Sequence, residues 1–415
     1  MTASEGRFGP FFARWCGWVL VFAAVMTPLL GWLGPLGFAP LMAIVGLLTL
    51  PAFEVREADR PAAIALLVTV LWAASSMIWS PFQPDVIWSG TAAKLAAQGL
   101  LYWAAWCAVR RADPAILRQA LWVFLAGMSL LSAVVIFEAA TGARLYQAVR
   151  AAIGDPIRPD LAVKNVAQGV FVLAVLWAPA ALAAIRLGWW QLAVLLAAAV
   201  AAGSIGLAAD APIIALAAGV TAAAAVWRWP LGAPRVMAAG AAVFFLAAPL
   251  IVWGLQQSGL YARLQAAVSL SWSMRMDYWS YALGWIGDKP FRGWGLDASR
   301  MFGPGIRLHP HNGALQIWLE LGLIGAAAAA VFWASLFHRL ERRAPDPGAM
   351  AGAAAAVAYL TFAAVSFGVW QEWWLALGAL AVVASLGAQR LAAGAGAPAA
   401  SSVRAKASTY PHLSE

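Results

Sequence analysis

The chain has 415 residues, 63% of them hydrophobic and only 11% charged, with a mean hydropathy of +0.77. No water-soluble domain needs that much apolar surface, so the composition excludes a soluble globular protein and defines a polytopic α-helical membrane protein. The net charge of +9 implies no nucleic-acid partner, because membrane proteins gather Lys and Arg in their cytoplasmic connections. Membrane lipids are the expected neighbours, and 24 tryptophans suit two bilayer interfaces.

The first apolar stretch, 15–30, has no small-residue cleavage pattern behind it and is read as a retained helix. Segments of about 20 apolar residues, the length that crosses a bilayer, are expected near 15–32, 36–53, 61–79, 91–109, 116–139, 163–185, 189–206, 209–227, 236–255, 311–338, 348–368 and 371–390. The fold expected is therefore all-α, with about twelve transmembrane helices. One transmembrane domain covers 1–393, with a long loop over 256–310 between the ninth and tenth helices. A disordered tail rich in Ala, Gly and Ser covers 394–415. Cys16 and Cys107 both fall in apolar segments, without the spacing of a disulfide framework or a metal site.

An even number of spans puts both termini on one side of the membrane. Arg7, Arg14, Arg56, Arg60, Arg110, Arg111, Arg118, Arg186, Arg228, Arg235, Arg339, Arg342, Arg343, Arg390, Arg404 and Lys406 lie in the termini or the even-numbered connections. The positive-inside rule makes those cytoplasmic. Two outer connections break the rule. Between spans 5 and 6 lie Arg144, Arg150, Arg158 and Lys164; between spans 9 and 10 lie Arg263, Arg275, Lys289, Arg292, Arg300 and Arg307. Fixed positive charge there suits an anionic ligand, although long loops also translocate regardless of charge. Lys164, Asn165 and Gln168 open span 6 on the same side. Asp210, Glu138 and Glu372 also stand at outer helix ends, the last two read as plain termini in the headgroup region.

The long outer loop has structure of its own. Trp272, Met276, Trp279 and Leu283 recur at helical spacing, so a helix is expected either along the membrane surface or packed on the bundle, holding Arg275 at the bilayer edge. The loop enters span 10 at His309-Pro310-His311-Asn312, with Asn312 as N-cap. His311 then stands at the positive end of a helix dipole, which keeps its imidazole neutral and able to act as a general base. His309 is the competing base, held in the extended segment by Pro310. Glu320 lies deeper in the span and is either structural glue or part of a polar cavity. Gly322 and Gly325 continue a small-residue face for close helix packing.

His309-Pro310-His311-Asn312, followed by Leu315-Gln316, Glu320, Gly322 and Gly325, resembles the O-antigen ligase and polymerase superfamily of bacterial envelopes. Lys289-Pro290-Phe291-Arg292-Gly293-Trp294-Gly295-Leu296 and the pair Arg275 and Trp279 are similar to two more of its segments. The resemblance implies a metal-independent, cofactor-free, inverting glycosyl transfer on the periplasmic face of the bacterial inner membrane. The donor would be a glycan on undecaprenyl diphosphate and the acceptor a sugar hydroxyl of the lipid A core. His311 matches the essential histidine and Arg275 the loop arginine that holds the diphosphate. The chain departs from the family at Ala208-Ala209-Asp210-Ala211, where a second phosphate-binding arginine is expected. Arg158, Lys164, Arg263 or Arg300 must replace it, or the donor is held differently. Trp279, Asn165 and Glu320 complete the candidate substrate-binding set. Polymerase and protein-glycosylating variants use the same motifs, and a transporter of lipid-linked glycans is the reading from another class. A transporter should carry charge through the membrane centre, whereas here it crowds the outer face.

Overall fold

The computed structural model describes residues 9–86 and 90–395. Its helices are α1 (Pro10–Leu33), α2 (Phe38–Leu48), α3 (Arg60–Ser76), α4 (Thr91–Arg111), α5 (Pro114–Thr141), α6 (Arg144–Ala152), α7 (Pro159–Arg186), α8 (Trp190–Gly206), α9 (Asp210–Arg228), α10 (Gly232–Gln257), α11 (Leu260–Ala267), α12 (Leu270–Asp288), α13 (Gly313–His338), α14 (Pro347–Val365) and α15 (Glu372–Ala395). Each of the expected spans coincides with one of them, and the three others, α6, α11 and α12, lie in the two basic connections expected on the outer face. Among the described residues, nine helices are long and apolar enough to cross a membrane by themselves. The remaining expected spans fall short for visible reasons: α2 and α8 are brief, and α4 carries Lys94, Arg110 and Arg111. Apart from 394 and 395, which continue α15, the expected disordered tail lies outside the described residues.

Local chemistry sets many helix starts. Asp113 accepts from the amides of Ala115 and Ile116 ahead of Pro114, and Asp346 accepts from Ala349 ahead of Pro347. The side chains of α7 from Val166 to Ala184 are mostly buried, so this helix runs through the middle of the bundle against α5, α8, α14 and α15. Outward-facing side chains such as Ile64, Leu71, Leu130, Leu250 and Trp253 are exposed and apolar, as a lipid-facing surface requires.

The connections expected on one side of the membrane do meet. Asp59, before α3, takes a forked contact of 2.7 and 3.2 Å from Arg110 in the last turn of α4 and a further contact from Arg339 after α13. Arg111 reaches Glu54 at 2.8 Å, and Arg390 of α15 donates to the carbonyl of Ala112. Charged groups from two connections and from α4 and α15 thus tie one end of the bundle, and the histidine-bearing loop occupies the other.

The helix expected at 272–285 is α12, and its apolar stripe packs on the bundle. Met276, Ala282 and Ile286 are buried in the core shared with α10 and α13. Glu138 is not a helix end in the headgroup region. It is fully buried and accepts from Trp32 and from the backbone amides of Leu145 and Tyr146, holding the first turn of α6.

α13 is broken. Gly322 has φ 64° and ψ −159°, so the regular ladder stops there. The released carbonyls find partners from elsewhere: Leu319 accepts from the amide of Trp294 (2.9 Å), Glu320 from that of Gly295 (2.8 Å) and Leu321 from the Trp72 indole (2.9 Å). The amide of Leu323 donates to Pro290 at 2.9 Å. Free carbonyls at membrane depth are costly, and this loop satisfies them. The fit is tight: a Cβ on Gly322 would stand 2.4 Å from the Phe291 carbonyl oxygen. Gly322 therefore serves a helix break rather than only a small packing face.

Candidate active site

The site is assembled at the start of α13. Asn312 caps the helix, its side-chain oxygen accepting the Leu315 amide at 3.0 Å. His311 immediately before it has φ 54°, a left-handed conformation that costs a non-glycine residue about 1–3 kcal/mol unless its surroundings impose it. Two contacts do so. The His311 amide donates to Nδ1 of His309 at 3.2 Å, and the Trp279 indole donates to the Pro310 carbonyl at 2.9 Å.

The imidazole of His311 is fixed independently. Its Nδ1 lies 2.6 Å from the carbonyl oxygen of Ser366, in the connection between α14 and α15. A carbonyl only accepts, so Nδ1 carries the proton and Nε2 of the neutral ring keeps its lone pair. Tyr278 of α12 stacks on the ring at 6.0 Å between centroids and 18° between planes. Burial holds the His311 pKa below the usual histidine range; the nearby Arg275 charge pushes the same way, and the Ser366 carbonyl opposes both.

His309 is committed differently. Its Nδ1 accepts the His311 amide, so its proton sits on Nε2, 3.3 Å from the end of the Gln371 side chain, whose amide oxygen accepts that proton when it is the atom turned toward the ring. Burial, then the charges of His311 and Arg300, push its pKa down to about 3. Neutral and with its lone pair in use, His309 is a positioning group rather than a base.

Arg275 comes to His311 from α12. Its guanidinium lies 4.8 Å from the Trp272 ring, and the Trp272 indole donates to Asp210 at 3.4 Å. Burial lowers the proton affinity of Arg275 and the Asp210 carboxylate restores part of it. Where the family pattern calls for a second arginine, this chain thus places a carboxylate beside the first.

The other candidate residues are dispersed. Arg158 is exposed and paired with Asp160 at 2.9 Å. Lys164 is exposed, and Asn165 donates to the Tyr146 hydroxyl at 3.3 Å. Arg263 is exposed on α11. None of the described contacts joins these four to His311 or Arg275. Arg300 pairs with Asp297 at 3.0 Å, lies over the Phe82 ring, and faces His309 rather than Arg275. Glu320, read as substrate-binding, has no exposed surface: its carboxylate accepts from the Asp297 amide (2.9 Å), Ser299 (2.6 Å), Gln316 (3.1 Å) and Trp370 (2.6 Å). It pins the loop after Gly295 to α13 and to the connection between α14 and α15, which is the structural-glue role. Among the described residues no group of three or more His, Cys, Asp or Glu could hold a metal ion.

The residues that sequence reasoning passed over are Tyr278, Ser366 and Gln371. Tyr278 carried a signal, one position from Trp279 in a helical stripe. Ser366 acts through its backbone, which leaves no mark on composition.

Fold and site together define an all-α polytopic membrane protein with a histidine and an arginine gathered at one end of the bundle. Residues 192–330 match the family model described as O-antigen ligase. A protein of Rickettsia conorii named as a candidate polysaccharide ligase is 27% identical over 118 residues, 25% of this chain and 29% of its own length. One from Rickettsia bellii with the same description is 38% identical over 69 residues, 17% of each chain. The alignments therefore span less than a third of these relatives. No solved structure matches. The matched residues 192–330, which include Asp210, Arg275, His311 and Glu320, are thus similar to the O-antigen ligase family.

Proposed function

We propose that the protein transfers a glycan from undecaprenyl diphosphate to a sugar hydroxyl of the lipid A core, on the periplasmic face of the inner membrane. The observation that carries this reading is the Nδ1 contact of His311 with Ser366, which leaves Nε2 unprotonated beside a guanidinium. In the step envisaged, the acceptor hydroxyl gives its proton to His311 Nε2 as its oxygen bonds to the anomeric carbon. The bond from that carbon to the diphosphate oxygen breaks, and the diphosphate leaves with the electron pair. Arg275 stabilises the charge gathering on the leaving group. Displacement from the opposite face inverts the anomeric centre. The positive-inside distribution, with the basic connections tied together at the far end of the bundle, supports a periplasmic site and cytoplasmic termini.

The test uses protein in nanodiscs with undecaprenyl-diphosphate-linked glycan and lipid A core. A mass increase on the core is expected. Longer lipid-linked chains in a donor-only tube, with the core untouched, would replace the ligase reading with a polymerase. Product in neither tube would favour a protein acceptor or transport.

A further inference from the structure

On the same end of the bundle lies a cavity of about 350 Å³. It is walled by Phe82 to Asp85, the first turns of α4, the Asp297 to Arg300 segment and the start of α15. Trp370 forms the partition: it lines the cavity, its indole is spent on Glu320, and the next residue, Gln371, faces His309. The cavity is thus a neighbour of the His311 site and separate from it.

Its charges cancel in pairs. Lys94 is bound to Glu372 at 2.7 Å and Arg300 to Asp297 at 3.0 Å, while Asp85 adds a further carboxylate. Three carboxylates against two cations make a poor receptor for a phosphate. They make a good one for hydroxyl groups, which donate to carboxylates and accept from ammonium and guanidinium groups. The Phe82 ring adds an apolar face. The decisive group is Gln98 on α4. It lines the cavity, is 9% exposed, and its side-chain oxygen is buried without a hydrogen-bond partner. A buried amide oxygen left unmatched is unfavourable, and a donor brought by a ligand would remove that cost.

We infer that this cavity is a subsite for a neutral, hydroxyl-rich sugar unit of one of the two glycan substrates, with Gln98 accepting a hydrogen bond from a hydroxyl or acetamido N–H. A volume near the lower end of ligand sites suits a short saccharide segment. Calling that sugar part of a substrate rests on the glycan-transfer reading; its binding does not require turnover.

The experiment is saturation-transfer NMR on the full-length protein in nanodiscs, using lipid-free and phosphate-free oligosaccharides released by mild acid from the producing organism's envelope. Transfer to sugar ring protons is expected for the parent and equally for His311→Ala. Gln98→Leu should bind about tenfold more weakly, the worth of one such hydrogen bond. Gln98→Glu, which keeps an acceptor oxygen, should bind close to parent, and unchanged thermal unfolding of both variants reports their folding. No saturation in the parent, equal binding by Gln98→Leu, or displacement by inorganic diphosphate would each overturn the assignment. Saccharide binding by a protein that makes no transfer product would support the subsite while counting against the transfer reading.

Discussion

The imidazole of His311 takes its orientation from the backbone carbonyl of Ser366, 55 residues further along the chain and 2.6 Å from its Nδ1. That contact selects one tautomer and leaves Nε2 with its lone pair. Replacing His311 with Ala or Gln should leave the fold intact and lower transfer about 10²- to 10⁴-fold, the usual worth of a general base. The check is product mass per unit time, with thermal unfolding measured alongside. Activity equal to parent would remove His311 from the reaction.

The rate should also report the proton on that ring. Burial and Arg275 hold the His311 pKa below its unperturbed value of about 6.5. A base must be neutral, so the rate should climb with pH on the acid side, level off before that value and stay flat through neutrality. Arg275→Gln removes a charge that repels the imidazolium, so the acid limb should move to higher pH while the plateau falls. A limb that stays put or moves lower would break the coupling between the two residues.

His309 should matter less and differently. His309→Ala takes away the acceptor that holds the His311 amide, at about tenfold in rate. His309→Asn, able to supply an acceptor oxygen, should recover part of it. A loss in His309→Ala as deep as in His311→Ala would make His309 the better candidate for the base.

Asp210 stands where a cation was expected, beside the arginine proposed to hold the diphosphate. Asp210→Asn removes a negative charge facing that group and should lower the donor KM by about two- to fivefold, in keeping with a partly exposed charge pair. A higher donor KM would mean that Asp210 serves chiefly to orient Arg275 through Trp272.

Gly322→Ala combines a left-handed φ with a Cβ 2.4 Å from a backbone oxygen, and should cost at least about 1–3 kcal/mol of stability. Glu320→Gln turns an amide toward donors that a carboxylate satisfied, at a cost of about 1–3 kcal/mol. Thermal unfolding in nanodiscs measures both, and parent-like midpoints would contradict the stitched break.

Much of this architecture was legible in the sequence because hydropathy fixes where a chain can cross a bilayer. Every expected span coincides with a helix, and Asn312 was recognisable as a cap from residue type and position alone. The expected nearness of Arg275 to His311 came from family resemblance, since no local pattern reports a contact between α12 and the start of α13. The break at Gly322 was hidden because a glycine among alanines reads equally well as a packing face, and only the partners of three carbonyls reveal the difference. Glu320 left two readings open, and its four donors, from three separate segments, decide between them. Arg158, Lys164 and Arg263 shared a side of the membrane with the site, but sidedness says nothing of distance within that side.

The stitched break in α13 sets a rule for chimeras. The segment from Pro290 to Gly295 and the carbonyls of Leu319 to Leu321 complete one another's hydrogen bonds, with Trp72 of α3 as a third party. An outer loop transplanted alone into a relative would arrive without the carbonyls it closes, and its host helix would be left with an open turn in hydrocarbon. The smallest transferable unit is the loop with α13 and the Trp72 turn, so this loop has to move between homologues together with part of the membrane bundle.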